Sequence, residues 1–188
     1  MVRAVVFDCF GVLATDGWLP FRDHYFGHDN DLITQAVALN KSTDAGIISY
    51  DEFITQVAAL AGVIETEVRK KIENNIPDGK LFEFIEQKLK PRYKLGLLSN
   101  AADNWLAEIF TAQQVALFDA IGLSYEIGAV KPAPIMYETI AQRLGVELSE
   151  CIFIDDQMHY CEGAEAVGMR AIRYSSRASL IKELTPLL

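Results

Sequence analysis

Val2-Arg-Ala-Val-Val-Phe-Asp-Cys-Phe-Gly-Val-Leu13 decides how this chain is read. Its apolar run Ala4-Val5-Val6-Phe7 does not alternate with polar residues, which suits a strand of a parallel sheet covered on both faces. The run delivers one carboxylate, Asp8, and then Gly11. Open α/β sheets gather their ligands outside the carboxyl ends of the strands, so Asp8 stands where a site would form. Alone it has a plainer reading, a strand-ending aspartate that opens a turn. The stretches that follow decide between the two.

From Lys80 onward, short apolar runs alternate with helical patterns. Tyr93–Leu98, Phe118–Leu123, Cys151–Ile154 and Arg170–Tyr174 read as strands. Leu81–Leu89, Asp103 to about Gln113, Pro134–Leu144 with Gly145 as its stop, the stretch after Asp156 to about Val167, and Leu180–Leu184 read as helices. Strands separated by helices predict a doubly wound parallel sheet, whose right-handed crossovers bring every strand's carboxyl end to one edge.

Between the first strand and this region the texture is helical. Asp31–Leu39 places Leu32, Ile33, Ala36 and Leu39 on one face; Ser49, with Glu52 as capping-box partner, opens a helix through Phe53, Val57 and Leu60; Glu65–Ile76 is a third. The segment is too long for an ordinary strand-to-helix loop. It predicts a helical cap over residues 14–79, inserted in a core of residues 1–13 and 80–188. Asp44–Phe53 lacks the alternating oxygen ligands of a calcium loop, and a helix–helix turn at Gly46 fits it better. Trp18, Phe21, His24, Tyr25, Phe26 and His28 are aromatic enough to line a pocket, and cap packing explains them equally well.

Across the 188 residues, 51% are hydrophobic and 23% charged, enough for one good core. A net charge of −9 argues against nucleic acid or an anionic membrane as partner, while leaving room for an anionic small molecule at a site holding a lysine and a metal. Cys9, Cys151 and Cys161 show no metal-ligand spacing and suit a reduced, cytoplasmic setting. Cys9 follows Asp8, but no motif supplies a histidine to activate it. The chain opens directly on a strand and holds no apolar run of membrane-spanning length, so a soluble, unexported protein is expected.

The shared edge then receives Asp8, Ser99-Asn100, Lys131 and Asp155-Asp156 from successive strands. Singly, each has a plain reading: Ser99 or Asn100 as a helix N-cap, Lys131 as a surface residue, Asp155-Asp156 as a solvated helix start. Together they suit phosphoryl chemistry. A carboxylate can attack phosphorus and divide a hard hydrolysis into two steps. Three clustered carboxylates call for a hard cation such as Mg²⁺. Ser99 and nearby backbone N–H groups at a helix N-terminus can hold phosphate oxygens, and Lys131 stabilises both phosphate and nucleophile.

With FDCFGVL at Phe7–Leu13, LLSNAA at Leu97–Ala102, AVKPAPIMY at Ala129–Tyr137 and IFIDDQMHYCEGAEAVGM at Ile152–Met169, the chain resembles the haloacid dehalogenase-like hydrolase superfamily over nearly its whole length. The helical insertion resembles the small cap of the phosphoglycolate phosphatase and haloacid dehalogenase branch. The resemblance implies a Rossmann-like core of five strands in the order 5-4-1-2-3 and a cap that closes over the site. It implies Asp8 as nucleophile, Lys131 bridging nucleophile and phosphate, and Phe10, Gly11, Ser99 and Asn100 among the phosphate-binding positions. It also implies Mg²⁺ held by Asp8, Asp155, Asp156 and the backbone carbonyl of Phe10, and a small phosphorylated metabolite as substrate.

Two positions depart from the pattern. Most phosphatases of the superfamily carry a second aspartate where this chain has Phe10, and that aspartate moves the proton of the leaving group. Haloacid dehalogenases carry an aromatic residue there, because halide leaves unprotonated. They lack the paired aspartates, however, and use no metal. Tyr160 stands where phosphatases often have asparagine. Three functions follow: a Mg²⁺-dependent phosphatase working through an aspartyl-phosphate on Asp8, a metal-free 2-haloacid dehalogenase, or a catalytically weakened protein that binds a phosphate ligand or a partner.

Overall fold

The computed structural model describes residues 1–188. Five parallel strands, β1 (Ala4–Phe7), β2 (Lys94–Ser99), β3 (Ala120–Leu123), β4 (Cys151–Asp155) and β5 (Arg170–Arg173), form one sheet in the order β3-β2-β1-β4-β5. Read from the other edge this is the expected 5-4-1-2-3. β1 is the central strand: Val5 pairs with Leu95 on one side and Ile152 on the other, and Phe7 with Leu97 and Ile154. All four of its residues are buried. Alternate side chains feed opposite cores, as the pleat requires. Val5 and Phe7 join Leu95, Leu97, Ile152 and Ile154 beneath Leu81, Ile85 and Leu180. Ala4 and Val6 join Leu98, Phe153, Tyr137 and Ile140 on the other face.

Four helices follow β1: α1 (Trp18–Phe26), α2 (Asn30–Asp44), α3 (Tyr50–Ala61) and α4 (Glu65–Ile72). They enclose their own core of Phe21, Phe26, Ala36, Phe53, Ile54, Val57, Ala58, Val68 and Ile72. The chain leaves and re-enters the sheet domain through a narrow stem. Thr15 N–H donates to the Ile76 carbonyl at 3.0 Å, Ile76 N–H to Thr15 Oγ1 at 2.8 Å, and Asp78 N–H to the Leu13 carbonyl at 2.9 Å. This return strand explains why the third expected cap helix stops at Ile72 rather than Ile76. Ser49 accepts from Glu52 N–H at 3.2 Å as the sequence predicts, but the reciprocal half of the capping box is missing, because Glu52 accepts from Gln56 instead. Gly46, at φ +69°, makes the turn between α2 and α3. Phe21 and Phe26 are interior to the cap, and His24 and His28 are exposed, so cap packing accounts for the N-terminal aromatic cluster.

The sheet is covered by α5 (Gly79–Phe84, continuing as a π-helical turn over Ile85–Leu89), α6 (Leu106–Ile109), α7 (Ala112–Val115), α8 (Ser124–Ile127), α9 (Pro134–Leu144), α10 (Met158–Ala166) and α11 (Arg177–Leu184). The single helix expected from Asp103 to Gln113 is broken in two. Phe110 is extended and buried, packing against Phe82 and Trp105, and Thr111 starts α7 with a capping box to Gln114. No helix is long and apolar enough to cross a membrane.

Candidate active site

Asp8 leaves β1 but keeps its ladder for one more residue, its N–H donating to the Ile154 carbonyl at 2.8 Å. That bond seats Asp8 beside the end of β4, where Asp155 is the last strand residue and fully buried. Lys131 enters between them from the loop before α9. Its Nζ donates to Asp8 Oδ1 at 2.6 Å and to Asp155 Oδ2 at 2.7 Å. With 3% of its surface exposed, Lys131 is not a surface residue, and Asp155 is not a solvated helix start.

The neighbours of this triad are built to hold it. Asn100 Oδ1 accepts from the Lys131 backbone N–H at 2.8 Å, and its Nδ2 donates to Tyr160 Oη at 3.2 Å. Both ends of the Asn100 amide therefore engage protein and fix the lysine's loop. Tyr160 also places its ring 4.8 Å from Lys131 Nζ. Gln157, which no sequence pattern singled out, clamps the acidic pair. Its N–H donates to Asp155 Oδ1 at 2.8 Å and its side-chain amide to Asp156 Oδ2 at 2.6 Å. Gly11, at φ +83°, passes directly beneath Asp156: a Cβ there would sit 2.8 Å from Asp156 Cγ, so the residue must be glycine on two counts.

Ser99 closes β2 with 1% exposure, and its hydroxyl donates to the Asn100 carbonyl at 3.2 Å. The expectation that Ser99 opens a helix is corrected. Residues 100–105 form a loop, and the next helix begins at Leu106. Any anion held there would meet loop N–H groups and no helix dipole. The physical cause is Ala101, whose N–H is drawn aside to Ser124 Oγ at 2.8 Å. Phe10, two residues past Asp8, is half-buried with its ring 4.7 Å from that of Trp105.

Burial pushes the Asp8 carboxyl up to about 8, with Lys131 opposing and Asp155 adding to the rise. Burial alone would lower the lysine, but Asp155 and Asp8 outweigh it and hold the ammonium well above its usual range. Asp156 is raised by burial and by Asp155. Cys9 is raised well above the thiol range by burial and then by Asp8, so it is no nucleophile. One ammonium is thus paired with two carboxylates, and a third, Asp156, stands close to both. Oxygens of Asp8, Asp155 and Asp156 lie within 4.8 Å of one another. Lys131 uses one oxygen each of Asp8 and Asp155, Gln157 one each of Asp155 and Asp156, and the set offers hard oxygen donors of the kind a Mg²⁺-type ion takes.

A family model for haloacid dehalogenase-like hydrolases matches residues 2–168. The chain belongs to the haloacid dehalogenase-like hydrolases. Among curated relatives, a phosphatase of Mycobacterium tuberculosis is 37% identical over 91 residues, covering 46% of this chain and 41% of that protein. The chain therefore matches only about two fifths of that relative's length. A sesquiterpene phosphatase of Aspergillus oryzae is 25% identical over 197 residues, covering 99% of this chain and 96% of that protein. Among solved structures, a haloacid dehalogenase-family enzyme of Bacteroides thetaiotaomicron, in complex with magnesium and inorganic phosphate, superposes with a TM-score of 0.70 at 22% identity, covering 94% of this chain and 96% of that one. A dehalogenase superposes as well, with a TM-score of 0.73 at 18% identity, covering 100% of this chain and 97% of that one, so the site's own chemistry has to choose.

Proposed function

We propose that this hydrolase is a Mg²⁺-dependent phosphatase of a small phosphorylated metabolite, working through an aspartyl-phosphate on Asp8. The observation that carries this reading is the cluster of Asp8, Asp155 and Asp156, the first two buried and paired with the single ammonium of Lys131. A carbon–halogen displacement needs one nucleophilic carboxylate and has no use for two more beside it. A phosphate monoester brings two negative charges, and holding it here requires added positive charge. Phosphatase relatives and a neighbour solved with magnesium and phosphate support the same choice.

Asp8, Asp155, Asp156 and the carbonyl of Phe10 would hold the ion, which when bound supplies positive charge to the transferring phosphoryl group. Asp8 attacks phosphorus with the carboxylate oxygen that Lys131 does not take, and the bond to the leaving oxygen breaks on the opposite side. Lys131 opposes the protonation of Asp8 that burial favours, and offsets charge on the phosphoryl oxygens. Ser99, Asn100 and Gly11 border the phosphate position, with loop N–H groups as donors. Water then cleaves the acyl phosphate and frees Asp8. Residues 14–79 would act as the cap that screens this step from bulk water, and the three free, buried cysteines suit a cytoplasmic setting.

Phe10 favours a second reading, a metal-free 2-haloacid dehalogenase, since an aromatic residue suits a leaving halide. One experiment separates them: phosphate release from a monoester panel and halide release from 2-haloacids, each with Mg²⁺ and with EDTA. The phosphatase reading expects phosphate release that EDTA abolishes and that Asp8→Asn lowers by about 10⁴-fold or more. Halide release indifferent to EDTA would replace it, and absence of both activities would leave a binding protein.

A further inference from the structure

Expelling an alkoxide from phosphorus requires a proton, and the residue beside the nucleophile, Phe10, has none to give. The other groups around Asp8 are poorly suited. Lys131 is held between two carboxylates that keep its proton in place. Asp155 and Asp156 belong to the metal-binding set. Burial pushes Tyr160 up to about 12, far from neutrality, and its oxygen accepts from Asn100 Nδ2.

In-line attack by Asp8 puts the leaving oxygen on the side of phosphorus away from Asp8. Asp44 ends α2, the second cap helix. Its backbone carbonyl lies 2.8 Å from the hydroxyl of Ser124, and that hydroxyl also accepts from Ala101 N–H at 2.8 Å, one residue past Asn100. This contact ties the end of α2 to the serine that holds the Ala101 N–H, next to Asn100. The Asp44 carboxyl is held by Asn40 on its own helix, Nδ2 to Oδ2 at 3.0 Å, and stands within range of charges from every neighbouring element. These are Lys131 from the loop before α9, Asp16 from the stem, and Tyr160 from α10.

We propose that Asp44 donates the proton to the leaving-group oxygen, supplying from the cap what Phe10 does not supply from the core. The inference rests on the phosphatase reading. As Asp8 Oδ bonds to phosphorus and the ester bond breaks, the Asp44 proton passes to the departing oxygen, giving a neutral alcohol and an Asp44 carboxylate. That carboxylate takes a proton from the water that cleaves the aspartyl-phosphate, restoring the acid. Removal from water pushes Asp44 up to about 7, against the pull of Lys131, so both forms are populated near neutrality.

The test compares kcat/KM, which reads the steps up to departure of the leaving group, for p-nitrophenyl phosphate and for a panel of alkyl monoesters including glycerol phosphate. Nitrophenolate leaves unprotonated; an alkoxide does not. Asp44→Asn should lower the alkyl-to-aryl ratio of kcat/KM by about 10²-fold or more. In the parent enzyme, alkyl kcat/KM should fall as pH rises through about 7, with no such limb for the aryl ester. Asp44→Glu should recover part of the ratio. Ser124→Ala, which loosens the cap contact and leaves the carboxyl in place, should lower both substrates together. If Asp44→Asn also lowers both together, or neither, or if the parent cleaves the aryl ester and no alkyl ester, the proposal is overturned while the phosphatase stands. No Mg²⁺-dependent release from p-nitrophenyl phosphate by the parent would overturn the phosphatase itself.

Discussion

The sheet edge and the cap bury their interiors in opposite ways. At the edge, Lys131 is buried between Asp8 and Asp155, Asp155 also accepts from Gln157 N–H, and no buried side-chain nitrogen or oxygen lacks a partner. In the cap the interior is apolar, and ion pairs such as Arg69 with Glu73 at 3.0 Å stay on the surface. Surface pairs contribute little, about 0–1 kcal/mol each. A buried pair contributes little net stability but costs a great deal when half of it is removed. The fold therefore spends stability at one edge and recovers it elsewhere, and that edge is where the chemistry has to be.

Two substitutions sharpen this contrast. Lys131→Met keeps the volume and apolar stem but strands two buried carboxylates. It should destabilise the protein by about 3–5 kcal/mol in urea titrations at neutral pH without added metal. A loss below about 1 kcal/mol would mean the edge is wetter than its burial implies. Ile54→Val removes one methyl from the fully buried cap interior and should cost about 0.5–1.5 kcal/mol. Its effect on p-nitrophenyl phosphate turnover should stay within a few-fold, because Ile54 touches only other cap residues. A loss of activity as large as that of Lys131→Met would show that the two regions are not separable.

The same contrast explains what the sequence discloses. Asp8, Ser99, Lys131 and the Asp155-Asp156 pair were legible because parallel strands must deliver their carboxyl ends to one edge, so linear order alone brings them together. The strand order came from the family resemblance alone. Gln157 and Tyr160 were harder to place: their roles depend on which way α10 turns after β4, and glutamine or tyrosine carries no pattern. Asp44 was invisible as a functional residue. It sits in a stretch read as a helix–helix turn, and only the bond of its carbonyl to Ser124, 80 residues away, ties it to the loop after β2. The helix expected after Ser99 failed for a related reason. Helical spacing was present, but tertiary bonds from Ala101 to Ser124 and the buried Phe110 overrode it.

Acid-quenched enzyme taken during steady turnover of a phosphate monoester with Mg²⁺, then digested and mapped, tests the central claim most directly. The account predicts a phosphoryl group on Asp8, in the peptide that opens the chain, and none in Asp8→Asn or in the presence of EDTA. Turnover with no phosphoryl group on Asp8, or with one on any other side chain, would contradict it.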